Sequence, residues 1–416
     1  MDFSRIIILI DLFLIMVFNY FLTSSVFSSV FLSVIIWLGI YAFRVYDYDY
    51  LKDYNEQLIR VFAGIVIGFI GILIFYPLMD KILNRWFFIY NLIILLLTIP
   101  ILHKIEYLIL IKNTSQKRYL VIGRKDELKD ILNEIERKSQ GKVKFAEFLN
   151  PSPAVLKSKI AQYDAVLVAD QELEKYVKNQ LNELKEKYEI EYLPNLVEKI
   201  LKRIPIEVAI KFKDYYEIAF QNTKESPAKR ILDIFGSILG LILFSPFMLI
   251  TAIAILIEDG RPVIFKQLRV GKDNKHFTLV KFRSMKKHKE DKAKFADQEE
   301  DRILKIGRLI RPVRIDESLQ FINILKGDMS IVGPRPEQIP FVRQFEKEIE
   351  FYSQRHNVKP GLTGWAQIMY KYASDLNEVK KKLSYDLWYV KNRNIFLDLK
   401  IILQTLEAIF WKRGAK

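Results

Sequence analysis

The sequence predicts an α+β membrane protein in three parts. A four-helix transmembrane bundle occupies 1–112, a small Rossmann-like α/β module 116–220, and a C-terminal domain 226–416, which enters the membrane through a re-entrant helix at 229–257. Three observations carry that reading. Four apolar runs crowd into the first 102 residues. Short β-prone runs alternate with charged amphipathic stretches from Arg118. A fifth apolar run, interrupted by Ser245-Pro246, opens a basic remainder.

The bulk properties agree. A chain of 416 residues has room for two or three domains. Half its residues are hydrophobic while 27% are charged, so the apolar content is unevenly distributed. Most of the formal charge of +15 falls after residue 226. Such a surface attracts anionic lipid, phosphorylated substrates or nucleic acid, and the apolar segments favour lipid and phosphate over nucleic acid. The absence of cysteine excludes disulfides and thiolate metal sites. His103, His276, His288 and His356 are scattered without ligand spacing, so a bound metal is expected to be oxygen-ligated, Mg2+ or Mn2+.

In chain order, residues 6–22 and 26–43 read as a helical hairpin around Thr23-Ser24-Ser25. Residues 61–79 and 86–102 read as a second, turning at Asp80-Lys81 with Trp86, Phe87 and Tyr90 at the interface. Asp11 interrupts the first run and no small-residue cleavage site follows, which argues against a cleaved signal peptide. Lys and Arg in the short loops place both termini in the cytoplasm. The module that follows has expected strands at 119–122, 143–149, 164–169 and 189–193, with helices at 126–139 and 171–187, hence a small, mostly parallel sheet. Gly123 closes the first strand as in a dinucleotide fold. Arg-Lys-Asp follows it and the later fingerprint glycines are missing, so assembly or regulation is the expected role.

Ser226-Pro227 breaks the chain before the fifth apolar run. As one straight helix its apolar part would reach roughly 40 Å, longer than a hydrocarbon core. Pro246 in its middle removes a backbone hydrogen bond and predicts a kink, so the segment can enter and leave by one face. The alternative is an ordinary fifth span. Residues 261–285 alternate like a hairpin turning at Gly271–Asn274, with Lys281 and Arg283 on one face of its second strand. Residues 286–301 read as a charged loop, 337–354 as a helix, 359–367 as a glycine-rich turn, and 375–411 as helical. The amphipathic end of that last region suits either a membrane surface or core packing.

The chemistry gathers between Gly307 and Pro336. Asp316 and Glu317 are adjacent, Arg311 and Arg314 precede them, and Gly333-Pro334-Arg335-Pro336 forms a restricted turn that aims a further guanidinium. A phosphoryl group ringed by anionic oxygens repels a carboxylate nucleophile unless cations neutralise those oxygens, so this mixture suits chemistry on phosphate. Asp316 equally suits the N-cap of a helix over about 317–325.

Several motifs resemble a known family. These are Lys229-Arg230 ahead of a Ser-Pro-broken apolar helix, VKFRSM at 280–285, Arg311 with Asp316-Glu317, KGDMSIVGPRP at 326–336, and KPGLTGWAQ at 359–367. Together they are similar to the monotopic polyprenyl-phosphate phosphoglycosyl transferases of the bacterial sugar transferase family, over about residues 226–413. The first half resembles the long subgroup, which includes undecaprenyl-phosphate galactose and glucose phosphotransferases. The resemblance implies transfer of a sugar 1-phosphate from a UDP-sugar to undecaprenyl phosphate with Mg2+, releasing UMP, as the first membrane step of O-antigen, capsule or exopolysaccharide assembly.

It also implies roles. Asp316 would be the nucleophile that carries a covalent phospho-sugar, and Glu317 would bind metal beside it. Arg311, Arg335, Lys281 and Arg283 would be phosphate or structural contacts, and Asp386 an acid near the site. Lys371 stands where many members have a phosphate-binding arginine; it keeps the charge without the bidentate fork. Lys229, Arg230, Ser245 and Pro246 would set the membrane re-entry. A homodimer in the bacterial inner membrane, catalytic domain toward the cytoplasm, completes the expectation. Two other functions compete: a non-catalytic scaffold for polysaccharide assembly, and a glycosyltransferase that moves the sugar alone and releases UDP.

Overall fold

A computed structural model describes all residues except 1–2, 52, 77–82, 113–114, 150–152, 222–224, 287–301, 371–374 and 412–416. The Asp80-Lys81 turn, nearly all of the charged loop, Lys371 and the basic C-terminal residues therefore lie outside the described part. The chain forms two units, Met1–Thr114 with Ile402–Trp411, and Ser115–Ile401.

The first unit is helical: Phe3–Thr23, Val26–Ala42, Tyr54–Phe75 and Arg85–Lys112. Three of these contain stretches long and apolar enough to cross a membrane, Ile6–Thr23, Tyr54–Phe75 and Arg85–Ile109; Val26–Ala42 is a shorter apolar helix. The third helix starts at Tyr54 rather than 61 because the Asp53 carboxylate accepts from the amides of Asn55 and Glu56 and caps it. The second and third helices touch through glycines. A Cβ at Gly64 would stand 2.6 Å from the Ile40 Cα and one at Gly68 2.8 Å from the Ile36 Cα, the close approach that small residues four apart permit.

Several buried polar groups inside this unit are paired. His103 Nε2 lies 2.8 Å from Asp11 Oδ2 and its Nδ1 3.0 Å from Gln57 Oε1, all fully enclosed. Glu407, on the last turns of helix Ile395–Phe410, accepts from Arg60 Nη1 at 2.7 Å, and Phe410 packs edge-on against Phe43. Core packing is thus the alternative that the amphipathic end adopts in this unit.

In the second unit, β1 (Lys117–Ile122), β2 (Val143–Leu149), β3 (Ala165–Val168) and β4 (Glu189–Tyr192) form a parallel sheet in the order β2-β1-β3-β4. Gly123 is explained by packing, since a Cβ there would stand 3.0 Å from that of Ala169. The expected helix over 171–187 is two pieces, Gln171–Lys175 and Lys178–Leu184. Helices Leu193–Leu201, Ile206–Lys211 and Lys213–Gln221 went unforeseen. Across the expected boundary near 220–226, Val121, Leu196 and Phe220 share one apolar cluster with Phe345, Leu383 and Leu387. Trp365 Nε1 also donates to the Lys202 carbonyl at 2.9 Å.

The fifth apolar run is a single helix, Pro227–Asp259, 33 residues long. Pro246 has no N–H for the Ile242 carbonyl four residues back, and the Ser245 hydroxyl donates to that carbonyl instead at 2.8 Å. The helix therefore continues through the expected break. Its apolar side chains, among them Phe235, Phe247 and Ile257, are exposed, as a lipid-facing helix requires. Both ends are fastened to the same globular fold. Near the start, Lys229 Nζ donates to the Val332 carbonyl (2.9 Å) and Asp398 Oδ2 (2.8 Å), and Arg230 to the carbonyls of Ile324 and Leu325. Asp233 accepts from the Ser330 hydroxyl and the Ile331 amide. Near the finish, the Glu258 carboxylate accepts the amides of Lys305 and Ile306, while Ile255 packs with Phe282 and Leu319.

Beyond it, β5 (Ile264–Val270) and β6 (His276–Phe282) make the expected antiparallel hairpin. Strand β7 (Ser330–Val332) pairs in parallel with β8 (Gly361–Thr363). The expected 337–354 helix is shorter, Ile339–Glu348, and gives way to a 3-10 turn at Tyr352–Asn357. The 375–411 region is two helices, Leu376–Asn392 and Ile395–Phe410.

Replacing Lys229 by Met leaves Asp398 buried without its cation, at a cost of about 3–5 kcal/mol. Denaturant unfolding of the detergent-extracted protein should show that loss, and Lys229→Met with Asp398→Leu should restore most of it. Unchanged stability in the single variant would contradict the buried pair.

Candidate active site

The site is built on a 3-10 turn, Ile315–Glu317, entered through Arg314, whose φ of 56° places a non-glycine residue in the left-handed region. The following helix starts only at Gln320 with Leu319 at its cap position, so Asp316 is not that helix's N-cap. Asp316 and Glu317 are instead both buried, 7% and 6% exposed. Two adjacent carboxyls taken out of water need cations, and the structure supplies them unequally. Arg335 Nη2 donates to Glu317 Oε1 at 2.7 Å, and Arg314 Nη1 to Glu317 Oε2 at 3.0 Å. Burial pushes the Glu317 carboxyl up, but the Arg335 and Arg314 guanidiniums outweigh it and hold the group well below the usual carboxylate range.

Asp316 has the opposite balance. Burial first, then the Glu317 charge, raise it to about 7, against the pull of Lys281, Arg311 and Arg314. Lys281, on β6 beside the Phe265 ring, is itself lowered by burial, with both carboxylates opposing that shift. The result is one carboxylate committed to arginines beside one that titrates near neutrality.

Arg335 is aimed by an immobilised turn. The Val332 carbonyl accepts from Lys229 and Tyr389, that of Pro334 from the Gly361 amide, that of Arg335 from Arg355, and that of Pro336 from Arg269. The KPGLTG stretch is the partner strand of this turn. A Cβ at Gly361 would stand 2.0 Å from the Gly333 nitrogen, and one at Gly364 2.1 Å from the Gly333 carbonyl oxygen. Those glycines allow the contact.

Of the expected site residues, Asp316, Glu317, Lys281, Arg311 and Arg335 come together. Arg283 does not join them. Strand β6 ends at Phe282, so the alternation that would align Arg283 with Lys281 stops, and its guanidinium turns to the Asp259 and Gly260 carbonyls and the Asp259 carboxylate. Asp386 sits behind the turn, ion-paired to Arg355 at 2.9 Å. Lys229 and Arg230 anchor the apolar helix, Ser245 and Pro246 lie in its middle, and Lys371 lies outside the described residues. Arg269 and Arg355 were missed; nothing in their local sequence marks them.

Among the described residues no three His, Asp or Glu side chains converge as a metal site. The donors at hand are Asp316 and Glu317, and both Glu317 oxygens already face arginines. That set suits a Mg2+ that completes its shell with phosphate oxygens and water, as Mg2+ commonly does, and does not suit a metal held by protein alone.

The segment that builds this centre, residues 224–412, matches the bacterial sugar transferase family, and the chain belongs to it. Among individual relatives, it is 41% identical over 186 residues to the uncharacterized sugar transferase EpsL of Bacillus subtilis, covering 45% of this chain and 89% of that one. It is 47% identical over 189 residues to a UDP-N-acetylgalactosamine-undecaprenyl-phosphate N-acetylgalactosaminephosphotransferase of Aeromonas hydrophila, covering 45% of each. It is 41% identical over 190 residues to the UDP-glucose:undecaprenyl-phosphate glucose-1-phosphate transferase of Escherichia coli, covering 45% of this chain and 41% of that one. The match thus spans less than half the length of these last two relatives.

A raised Asp316 pKa means that between about pH 4 and 7 the folded state binds the extra proton, so ionising this group lowers stability as pH rises through that window. Asp316→Asn should gain stability relative to wild type over that window, by at most about 1.4 kcal/mol per pH unit, and level off above it. Parallel pH profiles of unfolding would contradict the raised carboxyl.

Proposed function

We propose that the protein transfers a sugar 1-phosphate from a UDP-sugar to undecaprenyl phosphate, with Asp316 as the nucleophile. The observation that carries this reading is the division of labour between the two carboxyls. Glu317 is held ionised by Arg335 and Arg314, and Asp316 is the one left to react.

In the first step an Asp316 carboxylate oxygen attacks the sugar-bearing phosphorus of the donor. An Asp316 O–P bond forms, the bridging P–O bond breaks, and its electron pair leaves with UMP. In the second step a phosphate oxygen of undecaprenyl phosphate attacks the same phosphorus and expels the carboxylate, giving undecaprenyl-diphosphate-sugar. Two displacements through one carboxylate let a single site serve a soluble donor and a lipid acceptor in turn. Lys281, Arg311 and the Arg335 turn provide fixed cations for the phosphate oxygens. Mg2+, held by Asp316 and Glu317 together with donor phosphate, would neutralise further phosphate charge.

The re-entrant path of helix Pro227–Asp259 belongs to the same reading. It is supported by the attachment of both helix ends to one globular fold, Lys229 and Asp233 at one end and Glu258 at the other. A crossing helix would need that fold on both sides of the bilayer. The fold then rests on the cytoplasmic face of a bacterial inner membrane, where soluble donor and lipid phosphate meet. Relatives acting on N-acetylgalactosamine and glucose donors leave the sugar to experiment.

Extracted protein given Mg2+, undecaprenyl phosphate and a panel of UDP-sugars should release UMP from one donor. Asp316→Asn should abolish that release. Release of UDP would favour simple glycosyl transfer, and a product yield indifferent to Asp316→Asn would favour a scaffold.

A further inference from the structure

A buried arginine behind the site has no part in the chemistry proposed above, yet it touches the turn that supports it. Arg355, 3% exposed, lies in the 3-10 turn Tyr352–Asn357. Its Nη2 donates both to the Arg335 carbonyl and to Asp386 Oδ2, each at 2.9 Å, and its Nη1 donates to the Tyr352 hydroxyl at 3.0 Å. Asp386, also 3% exposed, comes from helix Leu376–Asn392, so three separate segments meet at one guanidinium. On the other side of the same residue, the Arg335 side chain leaves the turn to meet Glu317.

We infer that Arg355, locked by Asp386, is a positioning residue: it fixes the main chain of Arg335 so that the Arg335 guanidinium stays on Glu317 and Asp316 remains the reactive carboxyl. The inference rests on the phosphotransferase reading and deepens it. The geometry supports action through another group. The planar fork of Arg355 reaches a carbonyl and a carboxylate at once, which a lysine ammonium does not reproduce with fixed angles. Arg335 itself is part-exposed and gains its direction from the backbone that carries it. A carbonyl released from this clamp lets the turn shift, and a shift near 1 Å at a catalytic group costs about 10²-fold in rate.

The test is a double-mutant cycle on kcat for UMP release. Arg355→Ala leaves Asp386 buried without a cation and risks misfolding, so Arg355→Lys is run beside it; it keeps a charge near Asp386 and gives up the fork. Each is measured alone and together with Arg335→Ala. The expected result is a fall in kcat of about 10²-fold for Arg355→Lys, with the donor KM little changed, and less than about a twofold further effect once Arg335 is alanine. Losses that multiply across the two positions would overturn the inference, since a general structural role acts independently of Arg335. A cryo-EM structure of Arg355→Lys with Arg335 still seated on Glu317 would overturn it as well, whatever the activity. Wild-type protein that releases UMP from no donor would sink the phosphotransferase reading instead.

Discussion

Two carboxyl groups on neighbouring residues, both shut away from water, cannot both ionise unless cations offset the desolvation of each and their mutual repulsion. Asp316 and Glu317 resolve that conflict asymmetrically. Two guanidiniums go to Glu317, from Arg314 on the same turn and from Arg335 across it, and Asp316 keeps the raised pKa. A carboxyl that titrates near neutral pH is protonated part of the time and ionised the rest, and the ionised form is more basic and more nucleophilic than an ordinary carboxylate. Much of the C-terminal fold maintains this asymmetry. The carbonyls of Val332, Pro334, Arg335 and Pro336 each accept a hydrogen bond, so the turn that carries the deciding guanidinium has little freedom to move.

The same turn is tied to the apolar helix. Lys229 bonds Val332 at the start of the turn and Asp398 beyond it, while Asp233 holds the adjoining strand at Ser330 and Ile331. At the far end Glu258 and Asp259 meet Lys305, Ile306 and Arg283. The exposed side chains between these anchors are almost all apolar, so the helix offers an apolar surface held at both ends by the C-terminal fold. At the Ser245-Pro246 pair the serine hydroxyl satisfies the carbonyl that proline abandons.

Legibility in the sequence followed the range of the forces involved. Apolar length and β-alternation are local signals: they located the parallel strands and the β5-β6 hairpin to within a few residues, and the membrane-length helices in order, though the third starts earlier, at Tyr54, and the fourth runs on to Lys112. The Asp316-Glu317 pair and the restricted turn at Arg335 were visible because residue type and spacing alone suggest their chemistry. Pairings between distant positions were not. Arg283 was expected beside Lys281 on a strand that stops one residue too early, and Arg355 gains its meaning only from Arg335 and Asp386. In the N-terminal unit Asp11 read as an interruption and His103 as a scattered histidine, although the fold sets them 2.8 Å apart. Gly123 closes its strand as in a dinucleotide fold but lacks the later fingerprint glycines, and in the structure it packs against Ala169. The apolar cluster that residues on both sides of position 220 share was equally invisible, because a core common to two segments leaves no compositional trace.

The central claim is a covalent bond to one side chain. Protein incubated with a labelled UDP-sugar and no lipid acceptor, then quenched, digested and read by peptide mass spectrometry, tests it most directly. A sugar-phosphate adduct on Asp316 that disappears when undecaprenyl phosphate is added before quenching is the expected result. An adduct elsewhere, or UMP release with no adduct on any peptide, would contradict it.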